Sequence, residues 1–275
     1  MNGMEVTGAA RKEFSPSRVH DHRFFIIAAL LFVASAAVTV IWCASMSAME
    51  GMSMPGGWTM SMTWMRMPGQ SWFAAATAFL GMWVVMMVAM MLPSLTPMLW
   101  RYRQAIGEID DARRDRLTAL VGVGYFAVWT LLGSVIFPLG VLLAALAMHF
   151  PALASKVPVA AGAVITIAGV MQFTSWKMRY LNCCRRSLEQ GYTLRPDSST
   201  AWRHGLRLGL RCCYCCASQT AILLVLGVMN VGAMVVMAAA ISAERLAPTG
   251  ERIARATGAV AIGAGVFMMM RSLGI

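Results

Sequence analysis

Long uncharged apolar runs, separated by shorter polar and basic segments, dominate the sequence. They occupy residues 24–43, 71–92, 117–148, 158–176, 212–243 and 253–270, with Arg255 just inside the last run. Each run is long enough to cross a bilayer as a helix. Backbone N–H and C=O groups in a bilayer core must be paired within the segment, and a helix achieves this. We therefore predict an all-α, polytopic membrane protein with about six or seven transmembrane helices.

The run at 212–243 decides between six and seven spans. It is long for one helix and short for two. Gly227, Val228, Met229 and Asn230, followed by Gly232, have the composition of a turn. A hairpin there gives seven spans, which we favour, whereas one continuous helix gives six.

Charged residues make up only 13% of the chain, against about 25% in average soluble domains, and the basic ones alternate along it. The tail 1–23 and the segment 177–211 are basic, whereas 44–70 carries only Arg66 and Glu50. The positive-inside rule then predicts a cytoplasmic N-terminal tail, 1–23, and one helical membrane domain, 24–275, in a bacterial inner membrane. In that domain 44–70 is an outer methionine-rich loop and 177–211 an inner basic loop containing cysteines. The net charge of +11 then indicates topology and contact with anionic membrane lipid, not nucleic acid.

The outer loop is unusually rich in methionine, a residue that normally fills cores. The candidate ligands there are Met46, Met49, Met52, Met54, Met60 and Met62, followed by Met65 and Met67. Their spacing, around a Pro-Gly-Gly turn, fits neither an amphipathic helix nor a strand. Thioethers cannot form disulfides and bind soft ions, so the loop predicts capture of Cu(I) outside the cytosol. The alternative is an interfacial segment anchored by Trp58 and Trp64, with methionine as a plain apolar residue.

The second apolar run continues the methionine pattern. Met82, Met86 and Met90 recur every four residues, which places them on one helix face, and Met87 and Met91 form an adjacent row. A thioether ladder of this kind could pass Cu(I) along the helix, although such stripes often serve packing alone. Pro93 and Pro97 predict a break in the helix beyond the ladder.

Cysteines cluster at the inner side of the predicted topology. The candidate ligands are Cys183, Cys184, Cys212, Cys213, Cys215 and Cys216, whereas Cys43 stands alone. In a helix, Cys212, Cys215 and Cys216 share a face and could hold one soft ion, Cu(I) or Zn(II). Nearby arginines favour thiolates, and His204 is a further candidate ligand. The alternative is that these cysteines are small core residues.

Several short stretches together resemble the DUF2182 family of predicted metal-binding bacterial integral membrane proteins. They read AMMLPS at 89–94, AGVMQ at 168–172 followed by Lys177, Cys-Arg at 184–185, GLRLGLRC…CC at 205–216, GVMN at 227–230 and Glu-Arg at 244–245. The resemblance implies a helical membrane protein with a metal site at Cys184, Cys212, Cys215 and Cys216. Cys183 and Cys213 lie outside the family pattern.

The leading hypothesis is a copper-handling inner-membrane protein that binds Cu(I) and transports or delivers it, with a copper chaperone or a metalloenzyme as partner. The alternative is a non-transporting accessory or assembly subunit whose cysteines hold a structural zinc or perform thiol redox exchange. No nucleophile–base constellation, phosphate-binding glycine loop or paired intramembrane carboxylates occur in the sequence. The sequence therefore does not predict an enzyme.

Overall fold

The computed structural model describes residues 16–47, 51–66, 69–107, 109–186 and 195–273, with the side chains of 16–21, 47, 62 and 182–186 outside this description. The candidate ligands Met49 and Met67 lie outside the described residues. Met62, Cys183 and Cys184 are described in their backbone alone.

The described chain is almost entirely helical, which confirms the predicted all-α class. The elements in order are α1 (Pro16–Ser47), β1 (Met52–Met54), β2 (Trp58–Met60), a 3₁₀ turn (Met62–Trp64), α2 (Trp72–Ala105), α3 (Asp111–His149), α4 (Pro151–Ala154), α5 (Val157–Met171), α6 (Ser175–Arg186), α7 (Ser198–Leu226), α8 (Val231–Leu246) and α9 (Gly250–Leu273).

Five of the described helices are long and apolar enough to cross a membrane: α1, α2, α3, α7 and α9. A sixth span results if α5 and the start of α6, which are bent by 64°, count as one broken helix. The predicted turn near Asn230 is confirmed, because α7 ends at Leu226 and α8 begins at Val231. Since α8 has only 16 residues, it does not add the seventh full-length span that we favoured.

The methionine-rich segment differs from its prediction as an irregular loop. Residues 52–60 form a small antiparallel hairpin that pairs Met52 with Met60 and Met54 with Trp58. The Met-Ser-Met and Trp-Thr-Met triplets alternate large and small residues, which is the period of a strand. Gly56 and Gly57 have φ values of 97° and 75°, a conformation that glycine adopts without strain. Strands of three residues are too short to show a clear alternation of apolar and polar residues in the sequence.

The predicted helix break at Pro93 and Pro97 is wrong, because α2 runs through both prolines. Proline removes backbone hydrogen bonds, but membrane helices tolerate it where hydroxyl side chains satisfy nearby carbonyls. The hydroxyl groups of Ser94 and Thr96 donate to the carbonyl oxygens of Met91 and Leu92, at 3.0 and 2.8 Å.

Helices α3 and α7 approach closely at glycines. A Cβ atom on Gly205 would lie 2.3 Å from the carbonyl oxygen of Val121, and one on Gly209 would lie 2.8 Å from that of Tyr125. Only a residue without a side chain fits at these two positions. The close approach places the side chains of α3 directly against the cysteines of α7.

Short contacts group the connecting segments at two ends of the bundle. The hairpin lies near the α4–α5 turn, because Trp58 Nε1 donates to the carbonyl oxygen of Ala154 at 2.9 Å. At the other end, Arg113 Nη2 donates to the carbonyl oxygen of Pro196 at 2.7 Å. We call these the methionine end and the basic end. Asp197 caps α7 at the basic end, and its hydrogen bond from Ser199 lowers the pKa of its carboxyl group.

Candidate metal centre

The cysteines at 212–216 lie in the middle of α7 and are mostly buried. Cys212, Cys215 and Cys216 are at most 1% exposed, whereas Cys213 is half-buried. The spacing of three and four residues therefore gives the shared face that the sequence predicts. These cysteines are in the hydrophobic interior of the bundle and not in a loop.

Cys212 is surrounded by side chains from three helices. Tyr125 Oη on α3 donates to Cys212 Sγ at 2.9 Å. The Sγ atom of Cys216 lies 3.8 Å away, and the Sδ atom of Met91 on α2 lies 4.0 Å away. Two thiols and one thioether therefore lie close together in a buried setting.

Arg245 of α8 completes the surroundings of Cys212. Its side chain is buried, and Nη1 donates to Cys212 Sγ at 3.1 Å and to Ser94 Oγ at 2.9 Å. Its Nη2 atom donates to Met98 Sδ at 3.2 Å. The guanidinium group therefore contacts two of the sulfur atoms in this region and gives the site a positive charge. We call Cys212, Cys216, Met91 and Arg245 the Cys212 centre.

A buried polar network lies beside this centre. Lys177 Nζ is 2.9 Å from Glu244 Oε2, and it donates to the carbonyl oxygen of Cys215 at 2.6 Å. Gln219 Nε2 donates to Glu244 Oε1 at 2.6 Å. Both charged side chains are at most 2% exposed, a situation that a membrane interior permits only when the charges are paired. The network fixes α6 and α8 against the cysteine helix.

The methionine ladder predicted on α2 does not reach Cys212 by its own row. Met82, Met86 and Met90 are all buried, but Met86 and Met90 line an apolar cavity of about 300 Å³ beside α1 and α8. Met91, from the adjacent row, makes the contact with Cys212. Met82 lines a second, smaller cavity near the methionine end.

The methionines of the outer segment do not converge on one point. Met60 is 3% exposed and packs with Ala144, Ala147 and Ala154, whereas Met52 is 43% exposed. Met54 packs at the edge of the same cluster as Met60. Met46 lies on α1 and lines the smaller cavity together with Met82. Met54 and Met60 therefore hold the segment against α3 and α4.

One other candidate ligand, His204, lies in different surroundings. The ring of His204 stacks on Tyr102 at 5.4 Å between centroids. Among the described residues, no group of three or more His, Cys, Asp or Glu side chains is placed to hold a metal ion. The group of three sulfur atoms at Cys212 consists of two cysteines and Met91, so it does not count as a group of three His, Cys, Asp or Glu side chains.

The sequence did not predict Met98, Tyr125 or Arg245 as members of the site. Its pattern placed Met91 in the row beside the predicted methionine ladder and not in the ladder itself. The signal for Arg245 was present, since Glu244-Arg245 belongs to the stretches that resemble a metal-binding family. An arginine directly after an apolar segment is nevertheless easily taken for one of the basic residues that flank membrane helices on the cytoplasmic side. Tyr125 contacts Cys212 because α3 packs against α7. The sequence of one apolar segment does not show which other helix it packs against.

Comparison with known proteins gives one family. The family model PpoB2, described as a copper chaperone, matches residues 80–268. This range contains all four residues of the Cys212 centre and leaves the methionine hairpin outside. The match confirms a metal-related family, although the model does not carry the DUF2182 name. No curated protein and no solved structure matches the chain.

Proposed function

Because this chain belongs to the PpoB2 family, described as copper chaperones, we propose that it binds Cu(I) at the Cys212 centre and hands it on across or along the membrane. The observation that carries the proposal is the position of Cys212 Sγ, within 4.0 Å of both a second thiol and a thioether. Thiolate and thioether ligands select Cu(I) among the common biological metals.

The distances between the sulfur atoms support binding with little rearrangement. A metal–thiolate bond is roughly 2.3 Å long. Two sulfur atoms bound to one ion at roughly 120° are therefore about 4 Å apart. The separations of 3.8 Å from Cys216 and 4.0 Å from Met91 agree with that spacing.

The charges at the centre also suit a monovalent ion. One Cu(I) ion with two thiolates and a neutral thioether has a net charge of −1. Arg245, which donates to Cys212 Sγ, supplies one positive charge and makes the loaded centre neutral. Lys177 and Glu244 neutralise each other. Neutrality favours occupancy because an uncompensated charge in a low-dielectric interior is costly.

We propose that the protein lies in a bacterial inner membrane with its basic end and N-terminal tail in the cytoplasm. The methionine end then faces the opposite side, and the cysteines receive the ion. A soluble copper chaperone or a metalloenzyme is the proposed partner. The proposed role is carriage of a metal ion, without catalysis.

The test is metal content after anaerobic loading with Cu(I) in detergent, measured by mass spectrometry. We expect the C212S/C216S variant to bind about one copper ion fewer than the wild type, because both thiolates of the centre are lost. The C213S variant is the control, since it removes a thiol from the same helix, but Cys213 is half-buried and is not one of the four residues of the Cys212 centre.

Equal copper in the wild type and in C212S/C216S would contradict the proposal. A parallel loading with Zn(II) separates it from the accessory role. Zinc that is retained through purification, and lost with the two cysteines, would assign the centre to a structural zinc site instead.

A further inference from the structure

A second group of sulfur side chains lies at the methionine end, far along α7 from Cys212. The turn after α7 carries Met229, whose Sδ atom lies 3.9 Å from the Sγ atom of Cys43 on α1. From Cys212 to Leu226 the helix rises roughly 21 Å, at about 1.5 Å per residue. One ion cannot contact both groups.

Four methionines from four parts of the chain surround a cavity of about 110 Å³ at this place. They are Met46 of α1, Met65 beyond the 3₁₀ turn, Met82 of α2 and Met229. The rings of Trp42 and Phe79 also line it. Cys43 and Met82 are buried, and the other three sulfur residues are half-buried.

Ordinary packing does not account for this arrangement. Methionine usually fills irregular gaps because its side chain is flexible. Here four of these side chains, from separate parts of the chain, border the same partly open space and do not fill it. The side chains therefore have the position of ligands around a guest.

The side chains that line the cavity indicate which kind of ion binds there. Thioethers are soft, neutral ligands that favour Cu(I). Among the described residues that line the cavity none is charged, and the four thioethers outnumber the two oxygen-bearing side chains, Thr63 and Gln70. Aromatic rings such as those of Trp42 and Phe79 stabilise a positive charge at their faces.

We propose that Met46, Met65, Met82 and Met229 form a second Cu(I) site, separate from the Cys212 centre, with Cys43 adjoining it through Met229. The identity of the ion rests on the proposed function. Met82 and Met91 are nine positions apart on α2, roughly 14 Å along the helix, with Met86 and Met87 between them. The second site therefore lies on the same helix as Met91, one of the proposed ligands of the Cys212 centre.

The experiment measures Cu(I) content of the full-length protein in the C212S/C216S background, so that copper at the Cys212 centre does not contribute. We expect this background to retain about one copper ion. Addition of M46L, M65L, M82L and M229L together should remove it, because leucine has no sulfur and a similar volume. The matched control adds M52L, M148L and M270L, three exposed methionines away from the cavity, and should leave copper content unchanged.

Two further measurements keep the result interpretable. Gel filtration and a thermal unfolding curve establish that the four-leucine protein is folded. The single M229L variant, which changes only the turn, should weaken Cu(I) binding in a chelator competition.

The outcomes separate the two proposals. Unchanged copper content after the four leucine substitutions would overturn the second site. The Cys212 centre is tested separately, by comparing the copper content of the wild type with that of C212S/C216S. If the wild type and C212S/C216S bind copper equally and only the four-leucine protein loses it, the second site stands and the Cys212 centre is overturned. A wild type that binds no copper would overturn both.

Discussion

Arg245 is the residue whose role at the candidate centre is least expected from its type. Arginine is always protonated and is usually found in water or in ion pairs. Here its guanidinium group donates to Cys212 Sγ and Ser94 Oγ and contacts Met98 Sδ. It therefore lies next to the proposed ligand and compensates the negative charge of a loaded centre.

We expect R245Q to lower the Cu(I) affinity by about 10- to 100-fold, the usual effect of losing a group that supports a metal ligand. R245K should recover part of the loss, because it keeps the charge but not the forked geometry. Chelator competition measures both. R252Q, at an exposed arginine of α9, is the control.

An affinity that rises in R245Q would reverse this interpretation. The guanidinium group would then compete with the ion for Cys212 and would not compensate its ligands.

At the residue scale the sequence predicted the buried cysteine face and missed its partners. Spacing along one helix is sufficient to group Cys212, Cys215 and Cys216. The choice between Met90 and Met91 depends on how α2 is rotated against α7, which only the packed bundle determines. Cys184, implied by the family resemblance, and Cys183, which lies outside the family pattern, remain untested as ligands.

At the scale of elements, the contact between α3 and α7 determines the geometry of the centre. Gly205 and Gly209 allow the two backbones to meet, and Tyr125 is thereby brought to Cys212. Small residues at membrane helix interfaces have this effect generally.

We expect G205A to destabilise the protein by about 1–3 kcal/mol, because the added Cβ would overlap the carbonyl oxygen of Val121. It should also weaken copper binding by separating Tyr125 from Cys212. Thermal unfolding in detergent and chelator competition measure the two effects. G122A is the control, since a Cβ there meets nothing within 4 Å. Equal unfolding temperatures for G205A and G122A would contradict the prediction.

The elements themselves were predictable to different degrees. Long apolar runs predicted the helical class and the turn at 227–230, because bilayer physics leaves few alternatives. The hairpin at 52–60 and the unbroken α2 were not predicted. The hairpin depends on local strand pairing, and α2 continues through Pro93 and Pro97 because membrane helices tolerate proline when the packed bundle supports them.

At the scale of the whole molecule, the two ends of the bundle differ in charge and chemistry. The basic end contains the α3 start and the segment before α7, and the methionine end contains the hairpin and the turn after α7. The positive-inside rule predicts the first in the cytoplasm.

This orientation predicts the accessibility of introduced cysteines. A membrane-impermeant maleimide should label S53C in intact cells, and it should label S198C only after the inner membrane is permeabilised. Both positions are exposed, and the wild type gives the background from native cysteines. The reverse pattern would place the basic end outside and contradict the predicted orientation.

The buried pair between Lys177 and Glu244 also constrains how the protein is made. Glu244 follows Lys177 by about 67 residues, so at roughly 5–20 residues per second the ribosome adds it about 3–13 s later. During that interval the lysine has no acidic partner, and an unpaired charge is unfavourable in lipid. We therefore expect the nascent α6 to stay at the membrane surface or beside the insertion machinery, and to become fully buried only after α8 has emerged.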